Sequence, residues 1–146
     1  MLKGLDPLLS PDLLRALAAM GHGDELCLAD ANFPAEAIAA GKPLICLPGI
    51  SGSRALEAVL SVLPLDRFVE APAFTMQIVG DANSVPPAVA EYQAILDRVE
   101  GRSVRIETLE RFAFYERAGE AFAVLATGEE RGYGNILLKK GVIASR

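Results

Sequence analysis

Among its 146 residues the sequence has no tryptophan, a single histidine and only two cysteines. A site built from several histidines is therefore excluded, and His22 is the only imidazole in the chain. Cys27 and Cys46 lie in apolar runs, without the closely spaced cysteine and histidine ligands that structural metal sites use. We therefore expect two buried free thiols, no disulfide and no metal site.

The sequence also lacks a cluster of basic residues and any long apolar segment. Its net charge is −5 and its Lys and Arg residues are scattered, which argues against nucleic acid as a partner. No stretch approaches the ~20 apolar residues of a membrane span. The N-terminal segment 1–7 is interrupted by a charge and a proline before an apolar signal region can form. We therefore expect a cytoplasmic protein that does not bind membranes.

Apolar residues, by contrast, are plentiful, at 51% of the chain against 23% charged residues. That composition builds a packed interior, and 146 residues fit the roughly 100 to 200 that make one domain, so we expect a single domain over residues 1–146. The apolar share is high for a small protein with a large surface-to-volume ratio. We therefore expect part of the apolar surface to be buried between subunits of a homo-oligomer.

Helix and strand patterns alternate along the chain. Ser10 and Pro11 form an N-cap and a first-turn proline, and later helices are bounded by Gly or Pro. Short apolar or alternating runs between them have the character of strands. This order indicates an α/β fold with a central mixed sheet flanked by helices. Helices are predicted at 11–20, 34–40, 53–63 (capped by Ser53), 86–100 and 110–119, and strands at 26–29, 43–47, 74–79, 104–107, 121–126 and 135–139.

Two residues near the first strand are candidates for chemistry. His22 lies between two glycines that allow a tight turn and leave the ring accessible, and imidazole exchanges protons near neutral pH. Asp30 follows the carboxyl end of the strand, where a carboxylate can bind a hydroxylated ligand. Taken alone, each residue is better explained by an ordinary structural role, His22 as a histidine in a surface turn and Asp30 as a turn-forming aspartate.

Two further groups could bind a polar ligand. Arg111 and Tyr115 are four residues apart on one side of a predicted helix. Tyr133, Gly134 and Asn135 offer a phenol, a flexible peptide and an amide just before the last strand, a set that can hydrogen-bond several hydroxyls. A solvated helix face and a surface turn are the alternatives.

Several motifs in the same order give the chain a family resemblance. They are Leu-Ser-Pro at 9–11, Met-Gly-His-Gly-Asp-Glu at 20–25, Ala-Asp-Ala-Asn-Phe-Pro-Ala at 29–35, Arg-Phe-Ala-Phe-Tyr-Glu-Arg-Ala at 111–118 and Tyr-Gly-Asn-Ile-Leu-Leu-Lys-Lys-Gly at 133–141. With them the sequence resembles the L-fucose mutarotase branch of the family that also contains D-ribose pyranase. The resemblance implies an isomerase that needs no cofactor, a free monosaccharide substrate, and an oligomer with its site at a subunit interface.

The resemblance also implies roles for the candidate residues. His22 would donate a proton, Asp30 and Arg111 would hold the sugar, and the segment 133–135 would complete the pocket. Independently of the resemblance, an acid/base ring opening needs a second proton transfer, which Tyr115, Tyr133 or a bound water would relay.

The chain departs from the family at one place, and other functions stay open beside the mutarotase. Relatives often have Arg-Ala-Asp-Gly where residues 46–49 are Cys-Leu-Pro-Gly, so two charges are lost. A pyranase acting on ribose and a sugar-binding protein without catalysis are the alternative functions.

Overall fold

The computed structural model describes residues 1–145, which alternate between helices and strands as the sequence predicts. The helices are α1 (Pro11–Ala19), α2 (Ala35–Ala39), α3 (Gly52–Leu60), α4 (Pro87–Glu100) and α5 (Arg111–Gly119). The strands are β1 (Glu25–Ala29), β2 (Leu44–Leu47), β3 (Ala73–Met76), β4 (Ile106–Leu109), β5 (Ala123–Thr127) and β6 (Ile136–Lys139).

The six strands form one mixed sheet in the order β2-β5-β1-β6-β3-β4. β1 and β2 are both parallel to β5, and β3 is parallel to β4, whereas β6 is antiparallel to its neighbours β1 and β3. Five strands therefore point the same way and end at one edge of the sheet, which we call the carboxyl edge. The opposite edge, where these five strands begin, is the amino edge. The single-domain α/β fold with a central mixed sheet is confirmed.

Helices cover both faces of the sheet. Alternate residues of a strand point to opposite faces, so Leu26 and Leu28 of β1 join the cluster beneath α1, α3 and α4, while Cys27 joins the cluster beneath α2 and α5. The first cluster includes the fully buried Leu13 and Leu56. Burying a leucine side chain contributes roughly 1.5 to 3 kcal/mol to the stability of the fold. The packed helix layers therefore hold the sheet, and with it the loops at its two edges, in fixed positions.

The starts of two helices depend on which serine caps the helix. As predicted, Ser10 caps α1 by accepting from the Leu13 amide. The cap predicted for α3 at Ser53 is wrong: Ser51 accepts from the Arg54 amide, while the Ser53 hydroxyl donates to Glu91 at 2.6 Å. The helix also ends at Leu60, three residues before the predicted end.

Three strands differ by two or more residues from their predicted ranges. β5, predicted from residue 121, begins at Ala123. β3 ends at Met76 and not at residue 79, because Ile78 bridges to Asp81 and folds the chain back on itself. β4 begins at Ile106, two residues after the predicted start.

The two cysteines are free, but only one is buried. Cys27 lies in the central strand β1, where burial raises the pKa of its thiol to about 12. The prediction that Cys46 is buried is wrong: β2 is an edge strand, and its Cys46 is exposed while the preceding Ile45 faces the core. Within residues 1–145, no three His, Cys, Asp or Glu side chains are grouped to hold a metal.

Across the same described range, no helix has the length and apolar character needed to cross a membrane.

Candidate functional site

Asp30 and Asn135 form a buried hydrogen-bonded pair at the carboxyl edge. The Asp30 amide donates to Asn135 Oδ1 at 2.7 Å, and Asn135 Nδ2 donates to Asp30 Oδ2 at 3.1 Å. The same carboxylate accepts from the amides of Gly134 at 3.2 Å and Asn32 at 3.0 Å. Asp30 is 6% and Asn135 3% exposed. The pair therefore holds the end of β1 against the start of β6 in one geometry.

The environment of Asp30 also changes its acidity. Burial raises the pKa of the Asp30 carboxyl above its usual range, although the hydrogen bonds from Asn32, Gly134 and Asn135 oppose the change. Desolvation of the charged form outweighs these bonds. The carboxyl group thus takes up a proton more readily than an exposed aspartate would.

Tyr133 connects this pair to a depression in the surface. Its φ of 59° lies in the left-handed region, uncommon for a residue other than glycine, and its hydroxyl accepts from the Val79 amide at 3.2 Å. Val79 and Arg111 both line a depression of about 340 Å³. Tyr133 and Arg111 therefore border the same region, although they are 22 residues apart in sequence.

Arg111 and Tyr115 lie on one side of α5, as predicted. The Arg111 guanidinium is 4.7 Å from the ring centroid of Phe112 and 6.0 Å from that of Tyr115. Tyr115 packs in turn on Phe33, with 5.6 Å between centroids. Among residues 1–145, Arg111 makes no salt bridge, so its charge is free for a ligand. We call the residues of this edge the carboxyl-edge group: Asp30, Arg111, Tyr115, Tyr133, Gly134 and Asn135.

His22 lies elsewhere, beyond the amino end of β1. Its Nε2 is 3.1 Å from Oδ1 of Asp66, and the two side chains are 46% and 3% exposed. The ring also meets that of Phe68 edge to face at 5.7 Å, and Phe68 is 76% exposed. A half-exposed imidazole backed by a buried carboxylate is suited to proton transfer, since the carboxylate fixes the orientation of the ring.

Asp66 is a candidate site residue that the sequence did not reveal. It precedes Arg67 in a short charged turn, a pattern typical of a solvated surface. Burial raises the pKa of Asp66, but hydrogen bonds from the Phe68 amide and His22 outweigh this and hold the pKa below its usual range. Asp66 therefore faces His22 as a carboxylate.

The turn that carries His22 is anchored by Lys140. The ammonium group donates to the carbonyls of Leu17 at 2.9 Å and Met20 at 2.5 Å, at the carboxyl end of α1. A cation there satisfies carbonyl groups that have no partner within the helix. The Gly23 amide also donates to the Lys140 carbonyl. We call His22, Asp66 and Phe68 the amino-edge group.

One chain does not bring the two groups together. β1 pairs with β6 so that Glu25 is opposite Lys139 and Leu28 opposite Ile136. Between Glu25 and Asp30 the strand advances five residues, about 16 Å at ~3.3 Å per residue. His22 lies beyond Glu25, so within one chain it is too far from Asp30 for both to contact one monosaccharide.

Known proteins resemble the chain over its whole length. The fucose mutarotase of Bos taurus is 51% identical, with 100% of this chain and 97% of the relative covered. The L-fucose mutarotase of Actinobacillus pleuropneumoniae serotype 5b is 48% identical, with 97% of each covered. A crystal structure of the fucose mutarotase from Streptococcus pneumoniae in complex with L-fucose superposes with a TM-score of 0.89 at 38% identity, covering 98% of this chain and 100% of that one.

A family model places these likenesses in one group. The model of the RbsD / FucU transport protein family matches residues 3–143, which include both edge groups. With the matching fold and the full-length relatives, this shows that the chain belongs to the RbsD / FucU family.

Proposed function

We propose that the protein is an isomerase that interconverts the α and β anomers of L-fucose. The observation that carries the proposal is the likeness over the full chain to proteins named fucose mutarotase, one of them solved with L-fucose. The two edge groups supply the acid/base and hydrogen-bonding side chains that such a reaction uses. The cytoplasmic location expected from the sequence stays a prediction.

The reaction needs two proton transfers and no oxidation or reduction. A base takes the proton of the anomeric hydroxyl while an acid protonates the ring oxygen, so the bond between C1 and the ring oxygen breaks. The aldehyde then rotates, and the reverse transfers close the ring as the other anomer. Groups that donate and accept protons near neutral pH are sufficient for both steps.

His22 is the proton donor in this proposal. Because its Nε2 contacts Asp66, Nδ1 is the ring nitrogen that remains for exchange with a sugar oxygen. Asp66 fixes the plane of the ring, so Nδ1 keeps one orientation toward the sugar. Uncatalysed mutarotation is already fairly fast, so acid/base catalysis of about 10² to 10⁴-fold is adequate.

The carboxyl-edge group binds and orients the sugar. Asp30 and Asn135 hold one another in a fixed geometry, which lets them direct hydrogen bonds to sugar hydroxyls without first being ordered. Arg111 contributes a charge that no carboxylate of the described residues neutralises. Tyr133 accepts from the Val79 amide, which leaves its own O–H proton available, so Tyr133 is the favoured relay ahead of Tyr115 or a water.

The complete site forms between two copies of the chain, with the amino-edge group of one copy facing the carboxyl-edge group of its neighbour. The separation of at least about 16 Å within one chain supports this arrangement. So does the exposure of Phe68 and His22, which leaves the amino-edge group open to a neighbouring molecule. The protein is accordingly a homo-oligomer.

Saturation-transfer NMR on L-fucose and D-ribose at equilibrium tests the function. We expect a trace of the protein to speed the passage of magnetisation between the anomeric protons of fucose well above that of ribose. A faster exchange of ribose would instead make the protein a pyranase. No acceleration of either sugar, with binding still detected, would leave a sugar-binding protein and overturn the catalytic proposal.

A further inference from the structure

Glu129 is a buried carboxylate outside the groups described so far. It is 3% exposed and lies in the loop between β5 and β6. Its Oε1 accepts from the Arg131 amide at 3.1 Å and from Arg131 Nε at 2.8 Å, and its Oε2 accepts from Arg131 Nη2 at 2.9 Å. Oε2 also accepts from the Gly52 amide at 3.1 Å, in the first turn of α3. Four donors thus fix one side chain.

The backbone of the same residue holds the strand end that carries Asp30. The Glu129 carbonyl accepts from the Ala31 amide at 2.8 Å. The Glu129 amide donates to Thr127 Oγ1 at 3.2 Å, and that hydroxyl donates to the Ala29 carbonyl at 2.8 Å. The residues on both sides of Asp30 are therefore fastened to the segment 127–129.

The side chain also supports the peptide that faces Asp30. A Cβ on Gly134 would lie 2.8 Å from Cγ of Glu129, so the Gly134 backbone rests directly on the Glu129 methylene groups. The Tyr92 hydroxyl also contacts this peptide, since it donates to the Gly134 carbonyl at 3.0 Å. The Gly134 amide is one of the donors to Asp30. The position of Glu129 thereby sets where this amide and the neighbouring Asn135 point.

The charge of Glu129 is balanced inside the same network. Arg131 donates to Glu129 and also to Glu91 of α4, at 2.7 and 3.0 Å. Hydrogen bonds from Arg131 lower the pKa of Glu129 to about 2. The carboxylate therefore stays charged throughout the neutral range, and Arg131 ties the loop to a helix on the outside of the fold.

We propose that Glu129 is the positioning residue of the sugar-binding half of the site. It sets the distance and angle between Asp30 and the Gly134–Asn135 segment, and it touches no substrate. The inference rests on the proposed function, because it assigns Glu129 a role in binding the same sugar. A displacement of Asp30 or Asn135 by a fraction of an ångström weakens the contacts to sugar hydroxyls, so the effect falls on substrate binding.

The test compares Glu129→Gln with Asp97→Asn in the full-length protein. Gln has the shape of Glu but turns an NH2 group toward donors that need an acceptor. Asp97 is a matched control, since its partly buried carboxylate accepts from Gln93 and the Val104 amide and lies in neither edge group. We expect Glu129→Gln to raise KM for L-fucose about tenfold with kcat changed less than about twofold. Asp97→Asn should leave KM unchanged.

A second variant keeps the test decisive if Glu129→Gln folds poorly. Arg131→Gln removes two of the four donors to the carboxylate, Nε and Nη2, and keeps the amides of residue 131 and Gly52, so we expect a smaller rise in KM. Combined in one chain, the two changes should raise KM by less than the product of their separate effects, because they break one network. Hydrogen exchange at the Gly134 amide, followed by NMR without sugar, should be faster in both single variants than in Asp97→Asn.

The outcomes separate this inference from the proposed function. If the unaltered protein accelerates fucose exchange and both variants keep its KM and its Gly134 protection, Glu129 is not a positioning residue. A variant that lowers the yield of folded protein and kcat but leaves KM unchanged would also overturn the inference. A purely structural role of Glu129 predicts that result. If the unaltered protein accelerates no sugar, the proposed function is wrong, and Gly134 exchange still decides whether Glu129 orders the loop.

Discussion

Replacing His22 by Gln is expected to abolish the acceleration of anomer exchange while L-fucose still binds. Gln retains a hydrogen-bond donor near the position of Nε2, so the contact with Asp66 can persist, but an amide does not exchange protons near neutral pH. The catalysed rate should fall by about 10² to 10⁴-fold, to the level of the uncatalysed reaction. Saturation-transfer NMR gives the rate, and a titration followed by sugar resonances gives the dissociation constant.

His22→Ala provides the comparison for packing. It removes both the proton donor and the edge-to-face contact with Phe68. Equal rates in His22→Gln and His22→Ala, with sugar binding preserved in His22→Gln, assign the loss to proton transfer. Exchange that continues at the normal rate in His22→Gln would remove His22 from the mechanism and leave the phenols as the donors to examine.

Mixed oligomers of two inactive variants are expected to regain activity. In His22→Gln the carboxyl-edge group is intact, and in Asp30→Asn the amino-edge group is intact. Asp30→Asn should be inactive alone, because an amide turns an NH2 group toward the amides of Gly134 and Asn135. If each site joins two copies, it takes its amino-edge group from one copy and its carboxyl-edge group from the neighbour. In a random mixture of equal amounts, each of these groups is intact in about half of the sites, so about one quarter of the sites should be complete.

The variants are combined by co-expression or by unfolding and refolding together, and native mass spectrometry verifies that the oligomers are mixed. His22→Gln and His22→Ala chains mixed in the same way form the control, because neither has an intact amino-edge group. Verified mixed oligomers that stay inactive would mean that the two groups do not share a site across copies. Activity in the control would mean that refolding itself restores exchange.

The sequence predicts the fold well because its signals are local. Prolines, glycines and apolar periodicity placed every helix and strand within a few residues, as α1 and α4 show. The boundaries of α3 and β3 were missed because nearby hydrogen bonds decide them: Ser53 donates to Glu91, and Ile78 bridges to Asp81. Which groups become hydrogen-bond partners depends on tertiary packing, which the local sequence pattern does not specify.

The site was only partly predictable for a related reason. The candidate residues carry recognisable chemistry, but Asp66 and Glu129 lie among other charged residues and resemble solvated loop positions. Glu129 is followed by Glu130, and only the fold shows which of the two is buried. The pairing of Asp30 with Asn135 likewise depends on the register of β1 against β6, which apolar periodicity does not specify.

The antiparallel strand β6 spans the molecule from one edge group to the other. Asn135 precedes it and Lys140, which anchors the His22 turn, follows it, with four residues between them. If sites are shared, each chain serves two of them at once, and β6 acts as a spacer of fixed length between them. A substitution in one loop would then damage one half-site. An inserted residue in β6 would turn its side chains to the wrong faces and change the spacing of every site around the assembly.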